Sequence, residues 1–151
     1  MRKNYLAYGS NLNIRQMIFR CQSAEVVGIS EIKDYRLLFK GSGSGAYLTI
    51  EPHKGGRVPV AVWSVTDADI KSLDRYEGYP KFYYRKEMKV EVNGKKLPAF
   101  VYIMHEERAL GICTDRYFET CLEGYEDFGF DCGFLYEADA WSRERMELNE
   151  E

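Results

Sequence analysis

Two short stretches of this chain combine residue types that can do chemistry. In "YGSNL", Tyr8 to Leu12, glycine, serine and asparagine follow directly on the apolar run that begins at Tyr5. That run reads as the end of a buried strand. Gly9 permits positive φ or a close backbone approach. Ser10 and Asn11 form turns and caps, and Asn13 to Gln16 open a helix. Such a strand–loop–helix junction exposes backbone N–H groups that suit an anion or a polarised carbonyl. It is also an ordinary way to turn a corner. In "LDRYEGYP", Leu73 to Pro80, a helix stopped by Gly78 and Pro80 carries Glu77 at its C-terminal end. The helix dipole disfavours a carboxylate there, and by itself Glu77 reads as a solvated surface acid.

Positioning these stretches is the task of the remaining elements. "NIRQMIFR" is a short helix with Ile14, Met17 and Ile18 on one face. "AEVVGISEIKDYRLLFKG" supplies one or two strands ending at Gly41, and "GSGSG" is a loop or hairpin tip. "AYLTIEP" is a strand ending at Pro52, and "HKGGR" a turn. "VPVAVWSV", Val58 to Val65, is nearly continuous apolar sequence, the mark of a strand buried on both faces. Thr66 and Asp69 form a capping box for the next helix, whose buried stripe is Ile70, Leu73 and Tyr76. Asn93-Gly94 between two alternating runs is a hairpin turn. Two helices close the chain, one through Tyr117, Phe118, Cys121, Leu122 and Tyr125, the other through Phe134, Leu135, Ala138 and Trp141. The expected class is α+β in a single domain over 1–151. Its core is a mixed, strongly curved sheet or small β-barrel with flanking helices.

Composition narrows the function. A net charge of −3 over 151 residues gives no broad cationic face for nucleic acid. No apolar run reaches the roughly 20 residues of a membrane span, and the N-terminus lacks a signal-peptide core, so the expected location is cytoplasmic. Four cysteines without a CxxC pair and two distant histidines are a poor metal supply; no metal and no cofactor are expected, and the thiols read as packed and reduced. Twelve tyrosines can line a partly wet cavity, but most are expected to fill the β core. Any aromatics left exposed are the surface a homodimer would use.

"YGSNL" after the first strand and "LDRYEGYP" after a buried strand and short helix together resemble the γ-glutamylcyclotransferase-like family. That family includes γ-glutamylamine cyclotransferases and plant AIG2-like proteins. Leu73, Asp74, Glu77 and Gly78 match its second motif. The run "YYR", Tyr83 to Arg85, and the positions of Tyr117, Gly124 and Gly129 are also similar. Ala61 stands where the family often has glycine, and "GSGSGAYLTIEP" is not diagnostic. Both departures bear on substrate identity.

The resemblance implies a cyclisation: the α-amine of a γ-glutamyl group attacks its own γ-carbonyl, releasing 5-oxoproline and an amine or amino acid. The nucleophile belongs to the substrate, which accounts for the absence of a Ser-His-Asp or Cys-His set. Glu77 would be the catalytic acid/base, its pKa raised by the helix end and by Tyr76, Tyr79 and Tyr84 around it. N–H groups from Tyr8, Gly9, Ser10, Asn11 and Leu12 would hold the substrate carboxylate or the oxyanion. Tyr84, Arg85 and Tyr117 complete the expected substrate contacts, although Arg85 could equally sit in a structural ion pair and Tyr8 could simply pack. The expected partner is a small γ-glutamyl compound, with no nucleic acid and no membrane. The alternative is a non-catalytic module binding a small carboxylate or peptide. A third reading is amide hydrolysis, with water as nucleophile and glutamate as product.

Overall fold

A computed structural model describes residues 1–42 and 45–150, with the backbone only at Ser42 and 148–150. The chain order is β1 (Lys3–Ala7), one 3-10 turn (Ser10–Leu12), α1 (Ile14–Arg20), β2 (Glu25–Ser42), β3 (Gly45–Val65), α2 (Asp67–Glu77), β4 (Tyr83–Val92), β5 (Lys95–Met104), α3 (Asp115–Asp127) and α4 (Gly133–Glu150). The strands form one mixed sheet in the order β2-β3-β1-β5-β4. The short β1 lies at its centre, antiparallel to β3 and parallel to β5, so the loop after it emerges from the middle of the fold.

The barrel alternative is not what forms. The sheet curls until its two edges touch: Ser30 Oγ donates to the Glu91 carbonyl at 2.6 Å, and a Cβ on Gly28 would lie 2.7 Å from Val92 Cγ1. No backbone ladder joins β2 to β4 among the described residues, and the sheet stays open.

Two local expectations also change. The strand from "AYLTIEP" does not stop at Pro52, and "HKGGR" does not reverse the chain. β3 continues to Val65, and its register on β2 jumps from Tyr35↔Pro52 to Lys33↔Arg57. The extra residues form a bulge opposite Asp34, whose carboxylate accepts from Gly55 N–H at 2.9 Å. In α1 only Met17 is buried; Ile18, expected beside it, is 56% exposed because the helix is too short to offer a second buried turn. Gly43 and Ser44 of "GSGSG" lie outside the described residues.

Other signals hold. Val58 to Val65 is buried apart from the half-buried Ser64. Thr66 and Asp69 make the reciprocal capping box. Asn93 and Gly94, both at positive φ, turn β4 into β5. The four cysteines are free thiols, three of them buried. No helix among the described residues is long and apolar enough to cross a membrane.

α3 fixes the loop after β1. Tyr125 Oη donates to the Tyr8 carbonyl at 3.0 Å, and Asn13 Nδ2 donates to the Thr120 carbonyl at 3.1 Å. The two backbones approach so closely at Gly124 that a Cβ there would lie 2.6 Å from Asn13 N. Backbone cannot yield as a side-chain tip can. Gly124→Ala is therefore expected to destabilise the fold by about 1–3 kcal/mol, the usual cost of overpacking. Denaturant unfolding checks this; an unchanged midpoint would mean that α3 does not grip the loop.

Candidate active site

A cavity of about 310 Å³ opens between the loop after β1, the end of α2, and strands β3, β4 and β5. That is near the lower end of ligand pockets, roughly 300–1,000 Å³, and suits an amino-acid-sized molecule. One wall is Tyr8 to Asn11, the opposite wall Arg75 to Gly78. The sheet contributes Tyr5, Leu48, Tyr83 and Tyr102, α3 contributes Tyr117, and Tyr47 and Phe82 complete the lining. Seven of the twelve tyrosines line the cavity, and four of those, Tyr5, Tyr8, Tyr83 and Tyr102, belong to the buried core at the same time.

The loop wall presents free donors. Leu12 N–H bonds the Gly9 carbonyl and Asn13 N–H bonds the Ser10 carbonyl, each at 3.0 Å. The N–H groups of Gly9, Ser10 and Asn11 have no protein acceptor among the described residues. They are the unsatisfied donors at the start of a helical turn. Gly9 has φ −128°, so its role is not a left-handed backbone. A Cβ there would stand 3.4 Å from Leu48 Cδ1 and 3.5 Å from Tyr117 Oη, so glycine keeps the wall open where that hydroxyl approaches.

Glu77 is the last residue of α2, and Gly78 comes next in the left-handed conformation at φ 66°. The helix end is closed by Gly78 N–H to Arg75 O and Tyr79 N–H to Asp74 O. The Glu77 side chain reaches the cavity ringed by protein, half-buried, with no protein hydrogen bond among the described residues. Desolvation pushes its pKa up to about 8, against a downward pull from the Arg20 guanidinium. Burial therefore favours the protonated acid over the carboxylate.

The expected neighbours are only partly the observed ones. Tyr76 lines the cavity, its hydroxyl 2.8 Å from Ser10 Oγ, so it does not belong to the buried stripe of α2. Tyr79 and Tyr84 do not line the cavity. Tyr84 is on the opposite face of β4 from Tyr83, because successive strand residues alternate; its hydroxyl bonds Glu106. Arg85 faces Asp74 at 3.7 Å and stacks on Tyr79 at 4.3 Å, outside the cavity. The Leu12 side chain is wholly buried and its N–H is already bonded, which removes it from the substrate wall. Tyr8, Gly9, Ser10, Asn11, Glu77 and Tyr117 come together as expected.

Tyr5, Tyr83, Tyr102 and Arg20 were missed. The tyrosines lie on inward-facing strand positions that look like core residues in sequence. Asp74, a residue of the second motif, accepts from Tyr102 Oη at 2.6 Å. Most of the tyrosine hydroxyls are committed to the scaffold: Tyr8 to the Tyr102 carbonyl and Tyr83 to the Leu48 carbonyl, both at 2.7 Å. Tyr117 differs. Its oxygen accepts from Leu48 N–H at 3.1 Å, and its own proton goes to no protein oxygen or nitrogen among the described residues. Burial raises its pKa well above the usual tyrosine value, keeping that proton in place.

Residues 5–119 match the family model described as gamma-glutamyl cyclotransferase, AIG2-like. The chain is 31% identical over 109 residues to the human protein named gamma-glutamylcyclotransferase, covering 66% of this chain and 58% of that one. The mouse protein of the same name is 33% identical over the same coverage. The chain thus spans about three-fifths of the length of these curated relatives. A solved structure named gamma-glutamyl cyclotransferase superposes with a TM-score of 0.81 at 25% identity, over 93% of this chain and 88% of that one. With both motifs inside the matched region and facing each other across one pocket, this chain belongs to the AIG2-like gamma-glutamyl cyclotransferase family.

Proposed function

We propose that the protein cyclises small γ-glutamyl compounds, releasing 5-oxoproline and an amine or amino acid. The observation that carries this reading is the pairing across one small cavity of a desolvated, unbonded carboxyl, Glu77, with the free N–H groups of Gly9, Ser10 and Asn11. A cyclotransferase has to fold its substrate, stabilise an oxyanion and move protons from the attacking to the leaving nitrogen.

The substrate's α-ammonium enters beside Glu77, and its positive charge favours the carboxylate form. Glu77 takes one proton from the ammonium. The freed amine attacks the γ-carbonyl, a C–N bond forms, and the oxygen becomes an oxyanion facing the loop N–H groups and the Tyr117 hydroxyl. Glu77 gives its proton to the leaving nitrogen and then takes the second proton from the ring nitrogen, which attack has left with two hydrogens and a positive charge. The intermediate collapses, the original γ-amide C–N bond breaks, and the second proton passes from Glu77 to the departing amine or to solvent. Both protons lost by the α-ammonium are thus accounted for, the ring nitrogen keeps one hydrogen, and no redox change occurs.

Purified protein incubated with a panel of γ-glutamyl amino acids and γ-glutamylamines is expected to yield 5-oxoproline by mass spectrometry. The productive members identify the leaving group. Release of glutamate instead would mean that water is the nucleophile. Binding of a panel member without turnover would establish the non-catalytic reading.

A further inference from the structure

Arg20 ends α1 and lies just outside the cavity, yet it contacts both of its walls. Its Nη1 donates to Asn11 Oδ1 on the loop wall. Its Cζ lies 3.4 Å from the centroid of the Tyr76 ring on the helix wall. It has no carboxylate within 4 Å among the described residues, so no ion pair accounts for its half-buried place.

The chemistry of arginine sets the direction of the hydrogen bonds on the loop wall. A guanidinium only donates, so Asn11 must turn Oδ1 toward it. That leaves Asn11 Nδ2 to donate to Tyr5 Oη, at 2.8 Å. Tyr5 Oη is then an acceptor in this bond, and its own proton goes to no protein group among the described residues. Tyr5 is buried at the cavity's inner surface, so that proton faces the ligand space. On the other side, the Tyr76 ring under Arg20 is tied through its hydroxyl to Ser10.

We propose that Arg20 is the positioning residue of this site: it braces the amide-bearing loop against the helix that ends in Glu77, and through Asn11 it turns the Tyr5 hydroxyl into a hydrogen-bond donor for the ligand. The inference rests on the reading of Glu77 as the proton-transfer group. Its cationic charge acts on the same carboxyl. The other groups facing Glu77 are Tyr5 from β1, Tyr8 from the loop, Tyr76 from α2, Tyr83 from β4 and Tyr102 from β5. All of these are phenols that stay neutral below about pH 10, so between roughly pH 5 and 9 Arg20 is the charge that matters. Arg75, the cation that does line the cavity, is exposed at the rim and screened by solvent.

The test compares wild type with Arg20→Met, Arg20→Lys and Tyr5→Phe. The Glu77 carboxyl is followed by carbon-13 NMR titration, assigned with Glu77→Gln, and turnover is measured in parallel. Arg20→Met is expected to move the Glu77 titration upward by about one pH unit. Arg20→Lys is expected to restore that titration and still leave KM raised, because an ammonium cannot hydrogen-bond Asn11 and lay a planar cation on the Tyr76 ring together. Tyr5→Phe removes only the last hydroxyl of the chain and is expected to raise KM with the Glu77 titration little changed. An unchanged titration in Arg20→Met, full rescue of KM by lysine, or a wild-type KM in Tyr5→Phe would each overturn the proposal. If Arg20→Met does not fold, the lysine and phenylalanine variants still decide it. If wild type makes no 5-oxoproline, the functional reading has failed; the NMR titration and the affinity for 5-oxoproline then judge Arg20 separately.

Discussion

Glu77→Gln is expected to form 5-oxoproline about 10²–10⁴-fold more slowly than wild type, the usual range for loss of a positioned acid/base. The same variant is expected to melt at a higher temperature than wild type above pH 8. Burial raises the folded-state pKa of Glu77 from its ordinary 4.5 to about 8. Between those values the folded protein holds a proton that the unfolded chain has lost. Stability therefore falls as pH rises through that window, and the full cost is present above it. Glutamine resembles the protonated acid and carries no such cost. The two proteins should melt together near pH 4.5 and separate by about 3 °C or more at pH 9, the shift that roughly 1 kcal/mol gives in a domain of this size. Paired melting curves and turnover assays check both halves. Equal melting at pH 5 and 9 would mean a solvated carboxyl, and equal turnover would move the base elsewhere.

Tyr117→Phe is expected to lower kcat by about 10²-fold with a smaller change in KM. Removing one preorganised oxyanion donor typically costs about 2.7–4 kcal/mol, and the hydroxyl shares its work here with three loop N–H groups, which favours the low end. The Leu48 N–H that Tyr117 accepts makes its proton a better donor and aims it away from β3. A structural role would give a different pattern: lower stability from the orphaned Leu48 N–H, and unchanged kcat in the protein that remains folded. Steady-state kinetics together with a melting curve separate the two outcomes.

What the linear sequence determined is mostly local. The capping box at Thr66, the left-handed Gly78 after Glu77 and the Asn93-Gly94 turn come from the backbone preferences of a few adjacent residues, and each is where the sequence places it. The continuous apolar run Val58 to Val65 likewise declared a strand covered on both faces. Both site motifs were legible because each is an element boundary with its own chemistry.

The tertiary structure decided which faces those elements turn to the cavity. Strand alternation made Tyr83 a lining residue and excluded Tyr84, a choice of phase that the run "YYR" does not contain. Packing of α3 against the loop used the Leu12 side chain for the core and left its neighbours' N–H groups free. Curling of the sheet brought Tyr5, Tyr83 and Tyr102 from three strands around one carboxyl. Arg20 was invisible as a site residue because its partners, Asn11 and Tyr76, are set by the docking of α1 beside α2. Even the size of the effect on Glu77 is tertiary: a helix-end carboxylate in water is an ordinary acid, and the burial that raises its pKa comes from the ring of tyrosines packed around it.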